Sequence, residues 1–511
     1  MLSIRALISY GVVASSGTLI GYDSGYLNGV LASTDFNRRF GESLDGGTYK
    51  LTSTTRALFT SMLAAGTLLG CVSAAFIPTR FSRRHALITA SLIYSIGVAL
   101  QVAAPTGAAF IIGRVLLGLA LGVISIVSPA YLIEASTPSN RGLLICLFQQ
   151  VLTAGNVLAC GISMGTEKLK DDATWRITIA FQLVLALAIA VGGFLAVESP
   201  MVSLKLRRLD QARSALATLH SLEPTSPVID ESIEILRSTL ESDGRDNATM
   251  LECFRGTERR RTLLGVAMGW FTIGTGITFW FGYGTSFFQA AGVQNAYLVS
   301  LGLALVNAAL TTVSFFLVER VGRRCTLFCG SFIMGTTQLV AGIVHTTMPG
   351  SPADRNCLIV CAVLFIAGYA STWGPVGWIT MSEPFSARGR QNQQAVTMFA
   401  YWTATWAVGF CTPYLVDNSS LGGAGLGINI TYLWCGIVLV TTLWAYFCLP
   451  ELRGLSFSQT DRLFLERVPA WRSIAWQRSI SPALNHGYQV EEVIVGEEKH
   501  TGARPCSLEK M

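Results

Sequence analysis

Apolar stretches of about 20 residues recur along this chain, and that is the length a helix needs to cross a bilayer. They fall at roughly 7–30, 55–77, 84–104, 108–132, 143–163 and 175–197, and, after a polar interval, at 263–289, 297–318, 325–347, 357–381, 392–416 and 430–449. In lipid every backbone amide must be satisfied within its own segment, so twelve such runs are read as twelve membrane helices. Composition agrees. Hydrophobic residues make up 51% of the chain and charged residues 13%, against about 25% charged in a soluble domain. Mean hydropathy is +0.48, more apolar surface than a water-facing core could bury. The expected class is all-α integral membrane. The first run continues through Gly21-Tyr22-Asp23 without a cleavage site, so it reads as a membrane helix and not as a signal peptide.

The short loops set an expected orientation. Arg80, Arg83 and Arg84 lie between spans two and three, Arg141 between four and five, Arg320, Arg323 and Arg324 between eight and nine, and Arg388 and Arg390 between ten and eleven. All share a side with the long 198–262 segment and the C-terminal tail. By the positive-inside rule that side is the cytoplasm, with both termini inside. The sequons at Asn418 and Asn429 then fall on the outer side, as candidate glycosylation sites close to the membrane.

The two halves repeat each other. Thr79-Arg80-Phe81-Ser82-Arg83-Arg84 answers Glu319-Arg320-Val321-Gly322-Arg323-Arg324; Glu134 precedes Arg141 as Glu383 precedes Arg390; Glu198-Ser199-Pro200 closes span six and Pro450-Glu451 closes span twelve. Matched landmarks in the same order imply two pseudo-symmetric six-helix bundles, an architecture of secondary transporters that hold solute near the bilayer midplane. The expected organisation is an N-terminal bundle over 1–197, a cytoplasmic linker with short amphipathic helices over 198–262, a C-terminal bundle over 263–449 and a cytoplasmic tail over 450–511. Twelve cysteines lie mostly inside apolar runs, with no zinc-type spacing. No cofactor, metal or nucleic-acid partner is expected, nor an enzyme, since no nucleophile–base arrangement stands out. A monomer bathed in lipid is.

At these residues the chain resembles the sugar porter family of the major facilitator superfamily, in a fungal form. Gly21-Tyr22-Asp23-Ser24-Gly25, Gly113-Arg114-Val115, Trp373-Gly374-Pro375-Val376-Gly377-Trp378 and Pro450-Glu451-Leu452-Arg453-Gly454 resemble family signatures, in order and from about Gly21 to Leu465. The resemblance implies a twelve-helix transporter of small neutral solutes working by alternating access.

Ionisable residues inside spans are functional candidates by default. Asp23 in span one and Arg114 in span four would be expensive to bury singly, so an ion pair is expected. The resemblance makes Asp23 match the proton-coupling carboxylate of symporters, where animal facilitators carry a neutral residue; simple helix anchoring and facilitated diffusion are the alternatives. Arg83, Arg84, Glu134, Arg141 and Glu198, with their counterparts Arg323, Arg324, Glu383, Arg390 and Glu451, are expected to form a cytoplasmic gate paired while the inner side is closed. Thr79, Ser82 and Met201 depart from the family pattern there, which predicts a weaker N-terminal half of the gate.

For the pocket, Gln149 and Asn156 lie seven apart on one helix face, and Asn307, Trp378 and Trp402 match positions that contact sugar in the family. In span seven the family's paired glutamines fall on Thr272 and Ile273 and its asparagine on Thr278. In span eleven, family asparagines fall on Tyr401 and Thr405. Lost amides leave hexose hydroxyls unpaired at about 1–3 kcal/mol each, so a less hydroxylated or partly aromatic solute is expected to suit Ile273, Phe279, Trp280 and Tyr401. The competing expectations are a carrier or exporter of a non-sugar metabolite and a nutrient sensor that binds without transporting. The plasma membrane is the default location, as no organelle signal is evident.

Overall fold

The computed structural model describes residues 4–479 apart from 45–47, 77–81, 136–140, 170, 246–249, 291, 294, 382, 387–389, 454 and 456. Helices dominate. The first half contains α1 (Ile4–Ser15), α2 (Gly17–Ala32), α3 (Thr34–Phe40), a hairpin of β1 (Glu42–Leu44) and β2 (Thr48–Lys50), then α4 (Ser53–Phe76), α5 (Arg83–Ala103), α6 (Gly107–Ala135), α7 (Arg141–Thr166) and α8 (Ala173–Leu195). Three short helices follow: α9 (Pro200–Lys205), α10 (Leu209–His220) and α11 (Pro227–Arg245). The second half contains α12 (Gly256–Gly274), α13 (Ile277–Ala290), α14 (Ala296–Val321), α15 (Arg323–Thr347), α16 (Pro352–Ser371), α17 (Trp373–Thr380), α18 (Arg390–Val416) and α19 (Ile430–Cys448), then α20 (Phe457–Leu465) in the tail.

Among the described residues, 11 segments are long and apolar enough to cross a membrane. The twelfth, α18, is equally long but opens on Arg390-Gln391-Asn392-Gln393-Gln394, which lowers its hydropathy. The short antiparallel hairpin, register Glu42↔Lys50 to Leu44↔Thr48, is an addition to the all-α expectation and lies between spans one and two. Because spans alternate in direction, one face of the molecule carries α9–α11 and the tail helix. It is called here the linker face, and its opposite the far face.

Three spans are interrupted. Span one breaks at Ser16 between α1 and α2, span seven at Thr275-Gly276 between α12 and α13, and span ten at Thr372 between α16 and α17. Spans one and seven occupy corresponding places in the two halves, and paired interrupted segments mark the solute path in repeated transporters. Each break is braced by a side chain from another helix. Gly276 takes φ +92°, the left-handed region open to glycine, and Gln338 Nε2 donates to the Thr275 carbonyl at 3.0 Å. Ser16 Oγ meets Ser128 Oγ at 2.7 Å. At the third break Trp373 Nε1 donates to Ser331 Oγ at 2.9 Å.

Close packing follows small residues. Gly17, Gly21, Gly25 and Gly29 sit four apart on α2 and face Phe148, Leu152, Asn156 and Ser163 of α7. This is the small-residue seam by which membrane helices approach one another. At its tightest point a Cβ on Gly21 would lie 1.7 Å from the Leu152 carbonyl oxygen. Between the halves, α4 packs on α18, α7 on α14 and α2 on α13.

Candidate functional site

Asp23 and Arg114 are both buried, and Arg114 Nη1 donates to Asp23 Oδ1 at 2.7 Å. Asp23 comes from α2, held against α7 by the glycine seam, and Arg114 from α6. The pair lies seven residues into α6, about 10 Å below the far end of that helix. Around it runs a sealed polar shell. Arg114 Nη1 also donates to Tyr26 Oη at 2.9 Å and Nε to the Phe59 carbonyl at 3.0 Å. The Tyr26 hydroxyl donates to Gln101 Oε1 at 2.8 Å, and that of Tyr22 to the Thr178 carbonyl at 2.8 Å. A bare charge pair at this depth would leave lone pairs and N–H groups unmet; the shell meets most of them. Tyr26 and Gln101 were not singled out in the sequence, because a tyrosine and a glutamine in an apolar run carry no signal of partnership.

Of the pocket candidates, Gln149 and Thr278 are half-buried and Asn156 is buried against Gly25, in the seam between α2 and α7. Asn307 is buried on α14. The neighbour of Gln149 joins the halves: Gln150 Nε2 donates to the Ala308 carbonyl at 3.1 Å, and Thr312 Oγ1 donates to Gln150 Oε1 at 3.1 Å. The aromatic residues come together on the C-terminal side. The Trp378 ring lies 5.1 Å from that of Tyr401, and Tyr401 lies 5.4 Å from Trp402. Trp402 packs on Ala64 and Cys71 of α4, with its Nε1 buried and unpartnered among the described residues. Phe279 and Trp280 are buried, and the Trp280 ring is 5.9 Å from Phe365 of α16. These two side chains therefore pack inside the C-terminal helices and do not face lipid.

The charged residues of the linker face show the repeat in their bonds. Arg83 pairs with Glu134 at 3.0 Å as Arg323 pairs with Glu383 at 2.6 Å. Glu198 accepts from the Arg83 backbone N–H at 3.1 Å; Glu451 accepts from those of Arg323 and Arg324, at 3.1 and 2.9 Å. Each glutamate thus caps the first turn of a helix, where unpaired N–H groups favour an anion. Ser82 Oγ donates to Glu198 as well, so the residue that departs from the family's glycine adds a bond. Burial pushes the Glu383 carboxyl above its ordinary range, against the pull of Arg323. Arg84 Nε and Arg324 Nε are both buried without a partner among the described residues, and Arg324 donates from Nη1 and Nη2 to the Ala470 and Tyr446 carbonyls. The side chains of Arg141 and Arg390, and Thr79, lie outside the described residues. The pairs named here join partners within one half. Bonds from half to half lie elsewhere.

Apart from the bonds of Gln150 to α14, they lie toward the far face. Arg56 at the start of α4 pairs with Asp417 beyond α18 at 2.9 Å, and Ser53 Oγ donates to the same carboxylate at 3.2 Å. Below them Tyr283 Oη meets Thr60 Oγ1 at 2.6 Å and donates to the Gly409 carbonyl at 2.9 Å. Asn28 Oδ1 accepts from the Thr285 N–H at 2.8 Å, and Tyr297 Oη donates to the Gly29 carbonyl at 2.9 Å. No sequence rule pairs such distant residues. Asn418 and Asn429 are both exposed in the far-face connection between α18 and α19.

The model of the family described as "Sugar (and other) transporter" matches residues 10–464. The chain belongs to the sugar porter family of the major facilitator superfamily. Among the relatives of this sugar porter, the high glucose sensor RGT2 of Saccharomyces cerevisiae is 32% identical over 92% of the chain; the chain spans 62% of that sensor's length. The major facilitator-type transporter ecdD of Aspergillus rugulosus is 30% identical, covering 92% of this chain and 90% of the relative. The low-affinity glucose transporter HXT1 of S. cerevisiae is 29% identical over 91% of this chain and 82% of its own. In fold, the porter superposes on the proton:xylose symporter XylE bound to 6-bromo-6-deoxy-D-glucose with a TM-score of 0.75, at 20% identity, over 91% of this chain and 100% of that one. The protein is thus a multi-pass membrane protein with the twelve-helix fold of this superfamily.

Proposed function

We propose that the protein is a secondary transporter that carries a small, neutral, sugar-like solute by alternating access, with a proton taken up and released at Asp23. The observation that carries this reading is the buried Asp23–Arg114 pair. A carboxylate sealed in a membrane protein against one arginine is costly unless it works, and a carboxyl that alternates between paired and protonated states is how such a residue couples to a proton. Alternating access is supported by where bonds between the halves lie. Apart from the bonds of Gln150 to α14, they close the far face, while the charge pairs near the linker face stay within each half. Opening and closing then exchanges one set of inter-half contacts for another. Gln149, Asn156, Thr278, Asn307, Trp378 and Trp402 are proposed to line the solute path between a bundle over 1–197 and one over 263–449. The arginine-rich linker face is assigned to the cytoplasm, with both termini, and the sequons at Asn418 and Asn429 to the outside of the plasma membrane.

A second reading concerns the solute. Tyr401 stands where the family has an amide, and its ring packs on Trp378. That surface favours a solute with an apolar or aromatic face over a fully hydroxylated hexose. Expression in cells lacking their own hexose transporters, with labelled monosaccharides, polyols and aromatic metabolites supplied in turn, tests both. Uptake that collapses with a protonophore and in Asp23→Asn is expected. Uptake indifferent to both removes the proton; micromolar-affinity hexose uptake removes the second reading.

A further inference from the structure

We propose that Tyr26 and Gln101 are positioning residues for the Asp23–Arg114 pair: Gln101 fixes the Tyr26 hydroxyl so that its oxygen, not its proton, faces the guanidinium. This rests on the reading that Asp23 takes up a proton. Arginine has donors only. Its Nη1 serves Asp23 Oδ1 at 2.7 Å and Tyr26 Oη at 2.9 Å. A phenol that accepts from arginine must send its own proton elsewhere, and Gln101 Oε1 receives it at 2.8 Å. Reversing the Gln101 amide would turn an N–H toward the phenol and break the bond that now holds the phenolic proton, so this bonding sets the amide's direction. Gln101 Nε2 is then left buried without a partner among the described residues. The side chain is held in the shell as an acceptor.

The consequence appears when Asp23 becomes neutral. A guanidinium 1% exposed loses its countercharge at that moment. What remains to solvate it is the Tyr26 oxygen, the Phe59 carbonyl at 3.0 Å and the face of the Tyr26 ring, 5.8 Å from the guanidinium carbon. The phenol oxygen is worth more to Arg114 when Asp23 is protonated than when it is charged, and so it makes protonation affordable. The other groups near the pair are Tyr22 on α2, Tyr94 from α5, Tyr283 from α13 and Cys160 from α7, with the neutral Thr178 and Gln182 from α8. Phenols and a thiol are uncharged at and below neutral pH, so Arg114 is the charge that Asp23 feels. Removing the oxygen in Tyr26→Phe weakens the protonated state more than the charged one. Gln101→Leu frees the hydroxyl to turn its proton to the carboxylate, which favours the charged state. Both push the titration the same way.

The test needs no solute. Infrared titration of the purified full chain follows the C=O band of a protonated carboxyl, assigned to Asp23 by its loss in Asp23→Asn. The expected result is a midpoint lowered by about one pH unit in Tyr26→Phe and in Gln101→Leu, the size of one hydrogen bond to a charged group. Tyr10→Phe, which removes a buried hydroxyl bonded to the Ala135 carbonyl at 2.6 Å far from the pair, should leave the midpoint in place. If Tyr26→Phe does not fold, Gln101→Leu carries the test. A wild-type band that never titrates overturns the proton reading and this inference with it. A wild-type band that titrates normally, with no shift in either variant or an equal shift in Tyr10→Phe, overturns this inference alone.

Discussion

At the scale of single residues, what could be read in advance was set by how rare a residue is in its surroundings. Asp23 and Arg114 stand out because an ionisable group in an apolar run has few ways to be tolerated, and the structure puts them 2.7 Å apart. Tyr26, Gln101 and Asn28 do not stand out; their roles depend on which neighbour the fold brings. Asn156 and Trp402 were legible as polar or aromatic positions, but the surfaces they meet, Gly25 and the α4 residues Ala64 and Cys71, were not. The pair itself makes a sharp prediction. Arg114→Leu strands a buried carboxylate and should cost about 3–5 kcal/mol, whereas the double variant Asp23→Asn, Arg114→Leu removes both charges and should recover most of it. Thermal unfolding of the purified single and double variants checks this. A double variant no more stable than Arg114→Leu would mean that the arginine's bonds to Tyr26 and Phe59, not the ion pair, hold the helices together.

At the scale of elements, the twelve helices were legible because hydropathy summed over about 20 residues is insensitive to local detail. The same averaging hid the breaks. Ser16, Gly276 and Thr372 interrupt spans whose windows remain apolar throughout, and only bonds such as Gln338 to the Thr275 carbonyl reveal how the interruption is tolerated. The glycines of α2 were visible as a motif, yet their spacing of four gains its meaning from α7. That seam can be tested one methyl group at a time. Gly21→Ala places a Cβ 1.7 Å from the Leu152 oxygen, so α2 must move away from α7; Gly11→Ala meets nothing within 4 Å. A loss of about 1–3 kcal/mol or more is expected for Gly21→Ala, and a small gain or no change for Gly11→Ala, whose helical position favours alanine. Melting temperatures in detergent give the comparison, and equal values would show that the helices separate without cost.

At the scale of the whole molecule, the internal repeat was readable from matched loop charges, and it reappears as matched bonds: Arg83 to Glu134 beside Arg323 to Glu383. What sequence could not supply is how one half meets the other, because that contact joins residues as distant as Arg56 and Asp417. That ion pair, 2.9 Å long with side chains 16% and 7% exposed, sits above the Tyr283–Thr60–Gly409 layer and binds α4 to the end of α18. Under the proposed alternating access the pair is made only in the state with the far face shut, so it weights the balance between the two states and does not contribute equally to both. Losing a largely shielded pair of this kind should cost the closed far face about 1 kcal/mol, roughly a fivefold change in the ratio of states. Ser61, 1% exposed on α4 and 3.8 Å from the position a Cβ on Gly409 would take, lies beneath the seal and reports its opening. With Ser61→Cys placed in a background whose native cysteines, the exposed Cys325, Cys329 and Cys411 among them, are replaced by serine, a hydrophilic maleimide should label the detergent-solubilised protein severalfold faster when Arg56→Gln is added. Arg56→Lys, which keeps the charge, should label at close to the parent rate. Equal rates for the glutamine variant and the parent would mean that the tyrosine layer alone closes the far face, and that Arg56 and Asp417 merely decorate it.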